Sequence, residues 1–110
     1  MGEYVEIIEK LNVYISVEEK NAVEKKLNIG DRTFIQVRDL IVGMGKILEE
    51  DFEKQIYIIT IMAGIANMNT AFVGLQLKNN ILSLVGYAKE GLIKQHTAEK
   101  AIAKLEKVVN

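Results

Sequence analysis

The sequence predicts an all-α protein, a compact bundle of five to six helices around a central all-apolar helix at about residues 56–66. Three observations carry that expectation. Proline is absent from all 110 residues, so no position forbids a long helix. Apolar residues recur at three- and four-residue spacing, most cleanly at Phe34, Val37, Ile41, Met44 and Leu48. The stretch QIYIITIMAGIANMNTAFVGLQL, residues 55–77, holds no Asp, Glu, Lys or Arg, as expected of a segment enclosed by others. With 49% hydrophobic and 26% charged residues, the chain is expected to form a single helical domain over 1–110 with its own core.

The first helix is expected over about 3–15, with Tyr4, Ile7, Ile8, Leu11 and Ile15 on one stripe and Glu6–Lys10 as an i, i+4 ion pair. Its β-branched end, NVYIS, also reads as a short strand. Ser16 and Glu19 have the spacing of a capping box, which opens a second helix over about 17–28. Asn28 or Gly30 ends that helix, and Asp31 starts a third over about 32–49. Asp51 is placed to cap a fourth helix, whose first turn the acidic run Glu49, Glu50, Asp51 and Glu53 suits electrostatically.

The uncharged run has the length of a membrane span, but Asn67, Asn69 and Thr70 interrupt it with polar groups that hydrocarbon would leave unpaired. Those residues read as a joint. They leave residues 55–66 as a short buried segment, a central helix in preference to a buried strand, and open a fifth helix over about 71–90. That helix carries Val73, Leu77, Ile81, Leu84 and Ala88 inward and stops at Gly91. Thr97 caps the last helix, with Ala98, Ala101, Ile102, Leu105 and Val108 turned to the core.

Composition excludes most chemistry. Cysteine is absent, so there is no disulfide, thiolate nucleophile or Cys-based metal site. His96 is the single histidine; with Glu99 it gives H-x-x-E, short of the three or four ligands a metal site needs. The acidic run lacks the alternating ligands and turn glycine of a calcium loop, and Gly43–Gly45 lacks the strand and G-K-[ST] of a phosphate loop. No cofactor, metal or small-molecule ligand is expected, and no enzymatic activity. The acidic, amphipathic N-terminal stretch MGEYVEIIEKLN lacks the pattern of a signal peptide, so a cytoplasmic address is expected.

One stretch carries a resemblance. In AVEKKLNIGDRTFIQVRDL, residues 22–40, Leu27 and Ile29 flank a short turn, and Phe34 and Val37 face inward on the following helix. The segment resembles the helix-turn-helix of DNA-binding regulators. That resemblance implies phosphate or base contacts from Lys25, Lys26, Arg32, Thr33, Gln36 and Arg38. The match departs from the pattern at Glu24, where a small residue lets the helices cross, and Asp31 and Asp39 would repel phosphate. The expected function is therefore a small interaction or regulatory protein that self-associates or binds a protein partner through an apolar helical face. A DNA-binding regulator is the alternative. Ile58, Ile61, Met62, Ile65 and Phe72 are the candidate interface residues, and no membrane span is expected.

Overall fold

The segment IYIITIMA folds as a strand. In the computed structural model, which describes residues 2–110, five strands form one antiparallel sheet and three α-helices pack on it. The elements run α1 (Val5–Leu11), β1 (Val23–Asn28), α2 (Phe34–Ile41), β2 (Lys46–Asp51), β3 (Ile56–Ala63), β4 (Asn69–Lys78), β5 (Ile81–Tyr87) and α3 (Thr97–Val109). Across the sheet the order is β1-β5-β4-β3-β2. The expected all-α bundle is thus corrected to a mixed fold, and its central helix at 56–66 to strand β3. Five of the eight β3 residues are β-branched, which suits a pleated surface. Helices cover both faces of the sheet, so β3 is apolar on both sides and shows no alternation.

The expected fifth helix is the β4–β5 hairpin. Asn79 and Asn80 sit at φ 49° and 69°, the left-handed pair that a two-residue hairpin turn requires. The stripe Val73, Leu77, Ile81, Leu84 fits a helix, but Ala71, Val73, Leu75 and Leu77 also alternate along a strand, and that second period is the one the chain uses. Residues 17–28 are likewise a single 3₁₀ turn followed by β1. The Ser16–Glu19 capping box does not form; Asn12 Oδ1 accepts the Val17 N–H at 2.9 Å. The third helix stops at Ile41, before Gly43–Gly45. A Cβ on Gly45 would lie 1.8 Å from the Thr60 carbonyl oxygen, so glycine lets the chain enter β2 hard against β3. The acidic run is the end of β2 and its turn into β3, with Asp51 Oδ1 accepting the Lys54 N–H at 2.9 Å.

Two cores result, one on each face. Helices α2 and α3 cover the first, where Phe34, Val37, Ile41, Ala101, Ile102 and Leu105 meet Tyr57, Ile59, Val73 and Leu84. Tyr57 stacks on Phe34 with ring centroids 3.9 Å apart, and its hydroxyl donates to the Phe34 carbonyl at 2.6 Å. Helix α1 covers the other face, setting Ile7, Ile8 and Leu11 against Ile56, Ile58 and Val85. It sits close because Gly74 has no side chain; a Cβ there would be 2.2 Å from Ile7 Cγ2. Helices α1 and α3 fall within the expected spans, with Ile7, Ile8, Leu11, Ala98, Ala101, Ile102 and Leu105 buried. His96 in place of Thr97 precedes α3, Val109 in place of Val108 is buried, and Lys10 pairs with β2 instead of Glu6. Among the described residues no helix is long and apolar enough to cross a membrane.

Candidate functional site

The helix-turn-helix geometry is not formed, because its first helix is replaced by β1. Lys25 and Lys26 are successive strand residues and point to opposite faces. Lys25 pairs with Glu106 of α3 at 2.8 Å, and Lys26 pairs with Glu3 on the α1 side. The Arg32 guanidinium donates to the Val109 carbonyl and closes the C-terminal turn of α3, where a cation is favoured. Thr33 and Gln36 make a reciprocal capping box on α2: Thr33 Oγ1 accepts the Gln36 N–H at 3.2 Å, and Gln36 Oε1 accepts the Thr33 N–H at 2.9 Å. Arg38 Nε lies 3.0 Å from Glu50. Arg32 and Gln36 share a shallow surface pocket with Asp31 and Asp39, and the other four side chains do not line it.

The candidate interface residues divide. Ile58 and Ile61 lie on opposite faces of β3 and are fully enclosed in the two cores. Phe72 is half-buried on the α1 face, and Met62 and Ile65 remain exposed.

Several titratable groups are also engaged. Lys10 Nζ lies 2.5 Å from Glu49 and 2.9 Å from Asp51, and the Tyr14 hydroxyl donates to Glu49 at 2.8 Å. Hydrogen bonds from Lys10 and then Tyr14 hold the Glu49 carboxyl below its ordinary value, and the same carboxylates raise the Lys10 ammonium. His96 Nδ1 is 3.2 Å from Glu99, and among the described residues no three His, Asp or Glu side chains gather around a cation site.

Among the described residues, five of the ten large apolar side chains that stay exposed lie at one end of the sheet. Strand β3 ends at Ala63 and a turn through Gly64–Met68 leads into β4; beside it runs the loop 88–96 between β5 and α3. The two are tied together. The Ile65 N–H donates to Gln95 Oε1 at 3.0 Å, and Asn69 Nδ2 donates to the Lys89 carbonyl at 3.0 Å and to Thr97 Oγ1 at 2.9 Å. Lys104 of α3 donates to the Met62 carbonyl at 2.9 Å and to Asn67 Oδ1 at 2.6 Å, closing the edge of β3 beyond the reach of β2.

Glu90 anchors the start of α3, accepting the Thr97 N–H at 3.0 Å and its hydroxyl at 3.2 Å. Burial pushes the Glu90 carboxyl up. The Thr97 donors and the backbone N–H groups of Gln95 and His96 outweigh burial and hold it below the ordinary range. On this braced base Met62, Ile65, Met68, Leu92 and Ile93 keep 48%, 58%, 80%, 107% and 73% of their surface in water. Lys89 and Lys94 lie on the 88–96 loop and Lys100 in the first turn of α3, with no carboxylate within ion-pair distance among the described residues.

A cleft of about 680 Å³ opens beside this end, between residues 16–21 and 87–99, with Tyr87, Lys89 and Lys94 in its lining. Its carboxylates are taken by the chain's own donors: Glu18 by Asn21 at 2.9 Å, Glu90 by Thr97, and Glu99 beside His96. The sequence reading named Met62 and Ile65 but passed over Met68, Leu92 and Ile93. The available signal was an adjacent Leu-Ile pair between Gly91 and Lys94, in a stretch with no period of its own. In comparisons with known proteins, no family model, no curated protein and no solved structure matches this chain.

Proposed function

We propose that this protein is a small, non-enzymatic interaction protein that docks a partner through the apolar loop end of its sheet. The observation that carries the proposal is the gathering of Met62, at the end of β3, with Ile65, Met68, Leu92 and Ile93 on two loops that are hydrogen-bonded to each other and to α3. Water-exposed apolar side chains on a braced support are what a docking surface needs, since little ordering entropy is lost on binding. Supporting a non-enzymatic role, the shifted carboxyls each answer to a contact that holds the fold, and no pair of them faces a shared cavity. The apolar surface is made of two loops and the end of β3, in place of the helical face expected from sequence. A cytoplasmic location belongs to the same proposal.

Self-association through the sheet edges is opposed by their construction. Strand β1 carries Glu24, Lys25 and Lys26, and β2 carries a bulge between Ile47 and Glu49 followed by acidic residues. The test is a photo-crosslinking amino acid placed at Leu92 and, as control, at Glu53 in the β2–β3 turn, in cells of the native host. Leu92 is expected to give a discrete adduct that Glu53 does not. Equal labelling at both positions, or no protein or lipid adduct at either, rules the docking role out.

A further inference from the structure

We propose that the loop end docks on an anionic lipid bilayer, with Leu92, Ile93 and Met68 entering the interface and the surrounding lysines meeting the headgroups. The inference rests on the docking reading and names its partner. Leu92 is fully exposed and Met68 and Ile93 nearly so, and these side chains protrude beside the cleft without lining it. A bilayer takes up protruding apolar groups without a shape-matched pocket, and the gain follows the apolar area buried.

Charge decides what kind of surface. Lys89 and Lys94 flank the apolar pair in sequence, and Lys100 and Lys104, four residues apart, share one face of α3; Lys104 reaches the turn beside Met68. Glu90 and Glu99 are hydrogen-bonded at this end, with Glu18 across the cleft, and their formal charges offset three of the four lysines, leaving a positive excess. An apolar tip with a basic rim complements an anionic, apolar surface, and the negatively charged cytoplasmic leaflet has both properties. A second copy of this chain is disfavoured as the occupant, because a two-fold contact between these ends would bring the same lysines face to face.

The full chain is tested by co-sedimentation with phosphatidylcholine vesicles, with and without phosphatidylserine, at low and high salt. Binding is expected only to the anionic vesicles and is expected to weaken several-fold at high salt, where the Debye length is short. Leu92→Ser with Ile93→Ser is expected to reduce binding by about tenfold or more, from the apolar area withdrawn. Lys89→Glu with Lys94→Glu is expected to abolish the preference for phosphatidylserine. Both pairs are exposed, and circular dichroism verifies that each variant keeps the wild-type fold. Failure to bind anionic vesicles, or binding that survives the serine pair, overturns the proposal. A protein adduct at Leu92 without vesicle binding refutes the lipid partner while leaving the docking role standing.

Discussion

Gly74→Ala isolates the contact that seats α1 on the sheet. The added Cβ would lie 2.2 Å from Ile7 Cγ2 and 3.2 Å from Ile58 Cδ1. Carbon atoms rest at about 3.5–4.0 Å, so the first contact is too close by roughly 1.5 Å. Ile7 and Leu11 are fully buried, leaving Ile7 no free volume to turn into. The helix must lift or Ile7 must leave its rotamer, and overpacking of this kind costs about 1–3 kcal/mol. Backbone propensity alone gives the opposite sign, since alanine in place of glycine within a strand gains roughly 0.5–1 kcal/mol. Urea unfolding followed by circular dichroism therefore decides by sign.

The companion substitution is Ile7→Leu. It moves the branch from Cβ to Cγ and removes Cγ2 while conserving volume, at under about 1.5 kcal/mol by itself. The double variant is expected to recover about 1 kcal/mol or more relative to the sum of the single changes. Strict additivity, or a Gly74→Ala protein more stable than wild type, would refute the close approach of α1.

Two further predictions concern polar contacts. Tyr57→Phe removes the second donor to the Phe34 carbonyl, which keeps its donor within α2, and should cost about 0.5–1.5 kcal/mol. Burial first, then the nearby Glu50 charge, pushes the Tyr57 hydroxyl up to about 12. The folded state therefore holds this proton after the unfolded chain has released its own near pH 10. Stability is complete below that point and falls by about 1.4 kcal/mol per pH unit as pH rises toward 12. Denaturation measured across this window should be shallower in Tyr57→Phe, and an unchanged slope would contradict the assignment. Glu90→Ala removes the acceptor at the start of α3 and should cost about 1–2 kcal/mol. The Glu90 carboxyl is lowered in the fold, so its contribution is present above the ordinary carboxylate value and lost as pH falls through its folded value. Acid unfolding curves of wild type and Glu90→Ala should converge at low pH; a constant gap would argue against this cap.

Local patterns in the sequence were enough for α1 and α3. Their apolar residues repeat at helical spacing against charged opposite faces, and that period is fixed within the segment itself: Ile7, Ile8 and Leu11, and Ala101, Ile102 and Leu105, are inside as read. The uncharged run was also legible as core, because a segment with no charge has nothing to present to water. Its conformation was not. Ile56–Ala63 is apolar on all sides and carries neither a helical nor an alternating period, so strand or helix depended on neighbours distant in sequence. Asn79-Asn80 was the local sign of the hairpin, overlooked because the flanking apolar residues satisfy both periods. What tertiary structure alone decided is the role of each charge and of each exposed apolar group. Arg32 became the closure of α3 and Lys10 the partner of β2 because the sheet set them there. Met62, Met68, Leu92 and Ile93 are a surface only because two loops from separate parts of the chain end at the same edge of the sheet, a proximity no local pattern encodes.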